Sequence, residues 1–281
     1  MKTEYQTIWH KLMPYEFYKN KVRTVFLNVT DQCNFRCVMC FCEWKDNYMT
    51  EEIADKGIQL ALANKDPKID KITVVFFGGE PLMNWDLVAY VCEKYQDQCL
   101  FSMTSNMSLL TEERATFLNQ HHVGMLFSID GDKETQNINR PFANGQGTFD
   151  VVSQKIPMVL KHWPQVTFRS TIIPKTADKL FHNYMFARQQ GFINYFCTPD
   201  AYSDWHGYEE VLSNEMVKIT GQIIDDIYGG RKTIIPQVIS DGLVNYFEVK
   251  GELPKSYDSP MRCGMGSMGF GVGASGIISA C

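Results

Sequence analysis

The stretch TVFLNVTDQCNFRCVMCFCEW, Thr24 to Trp44, contains two different kinds of information. Its opening TVFLNV is a run of β-branched, aliphatic and aromatic residues that reads as a buried strand. Four cysteines, Cys33, Cys37, Cys40 and Cys42, then fall within ten residues. A strand that empties directly into a reactive loop suggests a parallel α/β sheet, where chemistry collects at the carboxyl ends of the strands.

Five further runs repeat the strand signature: KITVVFF (71–77), LFSMTS (100–105), VGMLFSI (123–129), VTFRSTII (166–173) and NYFCT (194–198). Most are too apolar to leave one face in water, as expected where helices cover the sheet. The segments between them carry helical periodicity. Thr50 is placed to cap a helix with Glu51 and Glu52 in its first turn and a buried stripe of Ile53/Ala54, Ile58 and Ala61/Leu62. Asn84 precedes a helix with Val88, Val91, Cys92 and Tyr95 on one side, Thr111 caps a third, and Ser213 opens a fourth carrying Met216, Ile219, Ile223 and Ile227. Right-handed crossovers wind such a chain into a barrel or part of one. The expected fold is therefore an α/β, partial (β/α)6 TIM-like barrel over residues 22–230, after an N-terminal extension, 1–21, too short for a separate peptide-recognition domain. From about Arg231 the pattern changes. A helix is expected near Ser240 to Val249, followed by a glycine-dense tail.

Bulk properties narrow the function. The 281 residues, 44% hydrophobic, suffice for a large core. A net charge of -5 with interspersed signs lacks the basic stripe that nucleic acids require. The N-terminus has no continuous apolar segment and no run is long enough to cross a bilayer, so neither a membrane nor a secretory route is expected and the chain is placed in the cytoplasm. Its nine cysteines should then be thiols or metal ligands, not disulfides.

Cys33, Cys37 and Cys40 form C-x3-C-x2-C on one loop. Three thiolates on a [4Fe-4S] cube leave one iron open to a non-protein ligand. The competing account is a zinc clip, which wants four ligands, commonly as two separated pairs. Cys42 is read as a non-ligand. Three other motifs close strands: GGEP (Gly78 to Pro81) the second, TSN (Thr104 to Asn106) the third and SIDG (Ser128 to Gly131) the fourth.

In this order, the cysteine loop, GGEP and SxDG resemble the radical S-adenosylmethionine enzymes over roughly residues 22 to 200. The resemblance implies a [4Fe-4S] cluster on Cys33, Cys37 and Cys40 whose open iron is chelated by the methionyl part of S-adenosylmethionine. It further implies reductive cleavage of that cofactor to a 5′-deoxyadenosyl radical, which abstracts a substrate hydrogen. An aromatic residue usually precedes the third cysteine in the family; here it is Met39, whose soft side chain would border the adenine. Gly78 and Gly79 would let the backbone approach the ligand, and Glu80 would offer an acceptor to the methionyl ammonium. Ser128 and Asp130 would hydrogen-bond the ribose or the cofactor's polar end, and either Arg140 or Arg169 would pair with its carboxylate.

In the tail, Cys263, Gly276 and Cys281 make C-x12-G-x4-C, similar to the opening of the auxiliary-cluster extension called SPASM or twitch, so residues 231–281 are expected to begin such a domain and to supply an auxiliary iron–sulfur cluster only in part. The run DGDKETQNINRPFANGQGTFD resembles the peptide-modifying branch, notably the anaerobic sulfatase-maturating enzymes. A peptide or protein substrate and an external one-electron reductant of flavodoxin or ferredoxin type are the partners this implies. The rivals are a radical enzyme on a small metabolite and a non-catalytic zinc or iron–sulfur protein.

Cys197, near the end of the sixth strand, is a candidate hydrogen-atom donor or else a core thiol. Asp200 and Asp204, in TPDAYSDWHGY, are candidates for a general base or a substrate contact, against a solvated loop. Cys92 and Cys99 read as small core residues, and His121 and His122 as surface.

Overall fold

The six strands form in chain order as parallel neighbours: β1 (Thr24–Thr30), β2 (Ile72–Gly78), β3 (Cys99–Ser105), β4 (Gly124–Ser128), β5 (Thr167–Ile172) and β6 (Asn194–Pro199). A computed structural model describes residues 20–240 and 268–279. Along each strand burial alternates: Leu27, Phe76, Met103, Phe127 and Phe168 are almost wholly buried, while Phe77, Thr104, Ser128, Arg169 and Thr198 on the other face are only partly so. The first set lies under the helices and the second faces the bowl of a partial barrel, the period of two that pleating imposes.

The helices begin where the local chemistry dictates. Thr50 caps α1 (Glu51–Ala63) by accepting from the Ile53 N–H, and Ala54, Gly57, Ile58 and Ala61 are its buried face. A 3₁₀ turn (Pro81–Asn84) leads into α2 (Trp85–Tyr95), with Val88, Val91, Cys92 and Tyr95 buried as the periodicity predicts. Asn84 donates from Nδ2 to the carbonyls of Val29 (2.8 Å) and Met49 (3.1 Å), tying this turn to the exit of β1. Thr111 caps α3 (Glu112–Gln120). The remaining helices are α4 (Lys133–Asn139), α5 (Phe149–Ser153), α6 (Ile156–His162), α7 (Leu180–Gln189) and α8 (Glu209–Tyr228). α8 starts four residues before Ser213, on Glu209 and Glu210, whose charges suit the helix dipole without a side-chain cap. Ile219 and Ile223 are buried there, but Ile227 is exposed.

The glycine-dense tail adds strands that the sequence reading lacks. β7 (Gly269–Val272) pairs parallel with β1, and β8 (Ile278–Ser279) returns antiparallel on β7 through a turn in which Gly276 has φ +82°. The sheet order is β6-β5-β4-β3-β2-β1-β7-β8, so it stays open with β6 and β8 at its edges. Gly269 permits this close docking: a Cβ there would lie 2.7 Å from the Thr24 carbonyl oxygen. Cys263, Cys281 and the helix expected from 240 to 249, beyond its first residue, lie outside the described residues. Among those described, no helix is long and apolar enough to cross a membrane.

Candidate active site

At the carboxyl ends of the strands a cavity of about 450 Å³ is lined by Cys33, Cys37, Cys40 and Cys42, by Met39 and Phe41, and by Gly78, Gly79 and Glu80. Thr104, Ser105 and Asn106 from the end of β3, with Ser128, Arg140, Arg169 and Asp200, add to the polar lining. Strand alternation also aims Phe77, Leu126, Thr171 and Thr198 into it. The sequence reading missed these four; the signal that finds them is the period of two counted back from the end of each strand.

The cysteine loop is clamped on two sides. On one, GGEP lies along the exit of β1: Gly79 N–H donates to the Thr30 carbonyl and Glu80 N–H to the Gln32 carbonyl, both at 2.8 Å. A Cβ on Gly78, at φ +131°, would fall 2.3 Å from the Thr30 oxygen, and one on Gly79 would fall 2.0 Å from the Gln32 oxygen. The glycines therefore admit the chain's own backbone while still lining the cavity, so a steric demand of the fold stands beside the approach to a ligand expected of them. On the other side the segment after α4 runs against the loop, with Arg36 N–H donating to Pro141 O (2.8 Å), Val38 N–H to Asn139 O (2.9 Å) and Ala143 N–H to Asn34 O (2.9 Å). Phe35 and Phe142 pack edge-on, with ring centroids 5.1 Å apart, at this junction. The RPFAN stretch thus serves as the dock of the cysteine loop.

Glu80 is 1% exposed and already engaged. Its Oε1 accepts from Ser105 Oγ (2.8 Å) and Leu82 N–H (3.1 Å), and its Oε2 from Asn106 N–H (2.8 Å). Burial pushes its carboxyl up to about 7, against the pull of these donors. The side chain joins the ends of β2 and β3 while still lining the cavity, so its acceptor capacity is shared with the fold. Asp130 is engaged within the fold and lies off the cavity. Its Oδ1 takes Arg140 Nη2 and the Thr171 N–H, each at 2.9 Å, and its Oδ2 takes Asn139 Nδ2 at 3.0 Å. It does not line the cavity, whereas Ser128 does.

The two arginines separate. Arg140, 8% exposed, is committed to Asp130 and lies with Nη1 3.9 Å from Cys37 Sγ. Arg169 donates from Nη1 to the Ser170 carbonyl and to Thr198 Oγ1, both at 3.1 Å, stacks over Phe196 at 4.2 Å, and has no carboxylate partner among the described residues. Burial, and then the neighbouring Arg140, draw its pKa below the ordinary guanidinium value.

Cys197 is 1% exposed and absent from the cavity lining, because alternation along β6 turns it towards the helices while Thr198 faces the bowl. Its thiol, raised to about 12 by burial, is a core group. Asp200 lines the cavity and organises the following loop, its carboxylate accepting from Ser203 Oγ (2.7 Å) and Tyr202 N–H (3.3 Å). Asp204 is exposed, outside the cavity lining, and accepts from the His206 N–H. It is a loop-forming residue and not a base in the cavity.

The donor set suits an anionic metal–sulfur group. Four thiols, those of Cys33, Cys37, Cys40 and Cys42, line one cavity; Cys33 Sγ accepts from the Phe35 N–H (3.4 Å) and lies 3.9 Å from Asn106 Nδ2, while Cys42 Sγ lies 3.8 Å from the Gly78 carbonyl oxygen. Burial raises Cys33 to about 12 and raises Cys37 despite Arg140, whereas a hydrogen bond from Cys42 draws Cys40 down to about 6. Metal ligation would remove the protons that burial retains on the first two.

The family described as the radical SAM superfamily matches residues 27–185, more than half of the chain. The chain belongs to the radical SAM superfamily. As a member it uses a [4Fe-4S] cluster and S-adenosylmethionine. It is 30% identical over 163 residues to Fe-coproporphyrin III synthase of Methanosarcina barkeri, covering 56% of this chain and 39% of that one. With the tungsten-containing aldehyde ferredoxin oxidoreductase cofactor-modifying protein of Pyrococcus furiosus it shares 24% identity over 251 residues, 84% and 66% of the two chains. With a cysteine-type anaerobic sulfatase-maturating enzyme of Clostridium perfringens it shares 24% over 175 residues, 57% and 46%. This radical SAM protein thus spans less than two thirds of the length of each of these relatives. Its fold matches anSMEcpe with bound AdoMet (TM-score 0.68, 21% identity, 92% of this chain and 73% of that one). It also matches Streptococcus suis SuiB bound to precursor peptide SuiA (0.64, 12%, 100% and 63%).

Proposed function

We propose that this radical SAM enzyme acts on a peptide or protein side chain, with Cys33, Cys37 and Cys40 holding the cluster. The observation that carries the reading is that the C-x3-C-x2-C thiols, with Cys42 beside them, line one cavity that also presents Arg169, a cation with no carboxylate partner among the described residues. When bound, the cluster and S-adenosylmethionine would supply one-electron reductive cleavage of the sulfonium carbon–sulfur bond and, through it, hydrogen-atom abstraction. The chain's residues would bind and orient the cofactor: Arg169 would pair with the methionyl carboxylate, the GGEP backbone would supply acceptors for its ammonium, Ser128 would meet a hydroxyl, and Met39 and Phe41 would border the adenine. Half-buried strand residues such as Phe77 and Leu126 keep the reacting carbon away from water.

Several features support a peptide over a small metabolite. The cavity lining includes exposed aromatic side chains, Phe41 71%, Trp44 41% and Tyr202 86%, a surface able to take an apolar segment of another chain. The sulfatase-maturating relative and the peptide-bound SuiB structure lean the same way. The similarity to Fe-coproporphyrin III synthase favours the second reading, a small-molecule substrate. A cytoplasmic setting and a flavodoxin- or ferredoxin-type reductant accompany either.

The test is anaerobic reconstitution of the chain with iron and sulfide. A brown chromophore and 5′-deoxyadenosine on reduction are expected, with turnover stimulated by synthetic peptides and not by small alcohols or porphyrins. Replacing Cys33, Cys37 and Cys40 together by alanine removes both chromophore and cleavage. A colourless zinc protein, or cleavage surviving in the triple variant, refutes the assignment.

A further inference from the structure

Arg140 presents a problem of satisfaction. A guanidinium and a carboxylate withdrawn from water together are costly unless every polar atom finds a partner. Asp130 meets that condition, with three donors on its two oxygens. Arg140 does not: Nη2 is on Asp130, Nη1 is directed at Cys37 Sγ at 3.9 Å, and Nε is buried without a partner among the described residues. A neutral thiol is a poor acceptor for a buried cation, whereas a sulfur carrying negative charge is a good one.

The backbone keeps this contact in place. Arg140 N–H closes the last turn of α4 on the Gln136 carbonyl at 2.8 Å, and its own carbonyl accepts from Thr148 Oγ1 at 2.7 Å. The loop residues on either side of Cys37, Arg36 and Val38, bond to Pro141 and Asn139 on either side of Arg140. Sulfur and guanidinium are therefore held opposite each other by the same short ladder that docks the loop, and neither side chain reaches its place by chance of rotamer.

Resting on the reading that Cys37 is a cluster ligand, we propose that Arg140 sets the reduction potential of that cluster, with Asp130 as the counter-charge that moderates it. Reduction adds negative charge to the cluster. A cation hydrogen-bonded to one of its sulfurs stabilises the reduced form and raises the potential, and a buried anion one residue further out lowers it. The assignment gives Arg140 a task separate from cofactor binding, which is left to Arg169. It also explains why the pair is kept in a position that an apolar pair of similar volume would fill at less cost.

The charges have opposite signs, so the test does too. The full chain, reconstituted anaerobically, is titrated against redox dyes and followed by electron paramagnetic resonance, with iron and sulfide assayed in parallel. Arg140→Gln is expected to lower the reduced-to-oxidised ratio at a fixed potential about tenfold, equivalent to about 59 mV for one electron. Arg140→Lys recovers part of that loss, and Asp130→Asn shifts the ratio the other way. A shift in the same direction for Arg140→Gln and Asp130→Asn, or no shift in either at full iron content, overturns the proposal. So does loss of iron from all three variants, Arg140→Lys included, because the pair would then only build the loop. A wild-type chain that takes up no cluster fails at the earlier step, the proposed function itself.

Discussion

Replacing Gly79 with alanine places one methyl group where the chain crosses itself beside Cys33. The added Cβ lies 2.0 Å from the Gln32 oxygen, 2.4 Å from its carbon and 3.0 Å from the Cys33 nitrogen. All three are backbone atoms, so no side chain can swing aside, and the loop must retreat by about 1 Å to restore an ordinary contact. Retreat breaks the two 2.8 Å bonds, Gly79 N–H to Thr30 O and Glu80 N–H to Gln32 O, each worth about 0.5–1.5 kcal/mol. Overpacking adds about 1–3 kcal/mol, for a total near 4 kcal/mol. In a domain of this size that lowers Tm by about 8–16 °C. It also misplaces Cys33 by about the distance that costs a positioned group about a hundredfold in rate. The assay is thermal unfolding of the metal-free chain by circular dichroism, with iron uptake measured separately. Gly221→Ala is the control: it sits in α8 with nothing within 4 Å, and alanine there should stabilise by about 0.8–1.0 kcal/mol through helix propensity. A Gly79→Ala chain that melts within about 2 °C of its parent and takes up full iron refutes the claim that these glycines exist for backbone packing.

Glu80, with its carboxyl raised from 4.5 to about 7 by burial, binds a proton more tightly in the folded than in the unfolded chain. Its contribution is thus fully present below about pH 4.5 and fades as pH rises through 7, by about 3 kcal/mol overall. Denaturant titrations near pH 5 and near pH 8 should show that loss, and Glu80→Gln should flatten it; an unchanged slope in the variant would assign the pH dependence elsewhere. Arg169→Met removes the uncommitted cation and should weaken S-adenosylmethionine binding by roughly 10–100-fold, the value of a charge-assisted hydrogen bond. Calorimetry on reconstituted protein reads this directly, and an unaltered Kd would move the carboxylate contact to another residue. Gly269→Ala puts a Cβ 2.7 Å from the Thr24 oxygen and should cost about 1–3 kcal/mol by pushing β7 off β1. Hydrogen exchange at Phe270 and Val272 no faster than in the parent would contradict this.

Much was legible along the chain because it depends on neighbours in sequence. Runs of β-branched and aromatic residues placed the six parallel strands, Thr50 and Thr111 announced their helices, and the C-x3-C-x2-C, GGEP, TSN and SIDG stretches fell at the ends of strands one to four. What depends on the partner across space was not legible. Gly269 to Val272 is four residues long and rich in glycine, with no local reason to be a strand; it becomes one because β1 offers a free edge. Ser213, read as the opening of its helix, lies in the second turn, because the helix starts on the acids Glu209 and Glu210 with no side-chain cap to announce it.

The amino-acid order by itself determined that three thiols, two glycines, two acids and two arginines would gather at one end of a parallel sheet, since strand polarity alone sends every such loop to the same side. It could not apportion their tasks. Glu80 and Asp130 proved to be internal ties, the glycines seats for backbone, Cys197 a core thiol, and Arg140 and Arg169 partners of a buried acid and of the open cavity respectively. Those distinctions turn on which hydrogen-bond capacity is already consumed within the fold, and only the packed structure counts that.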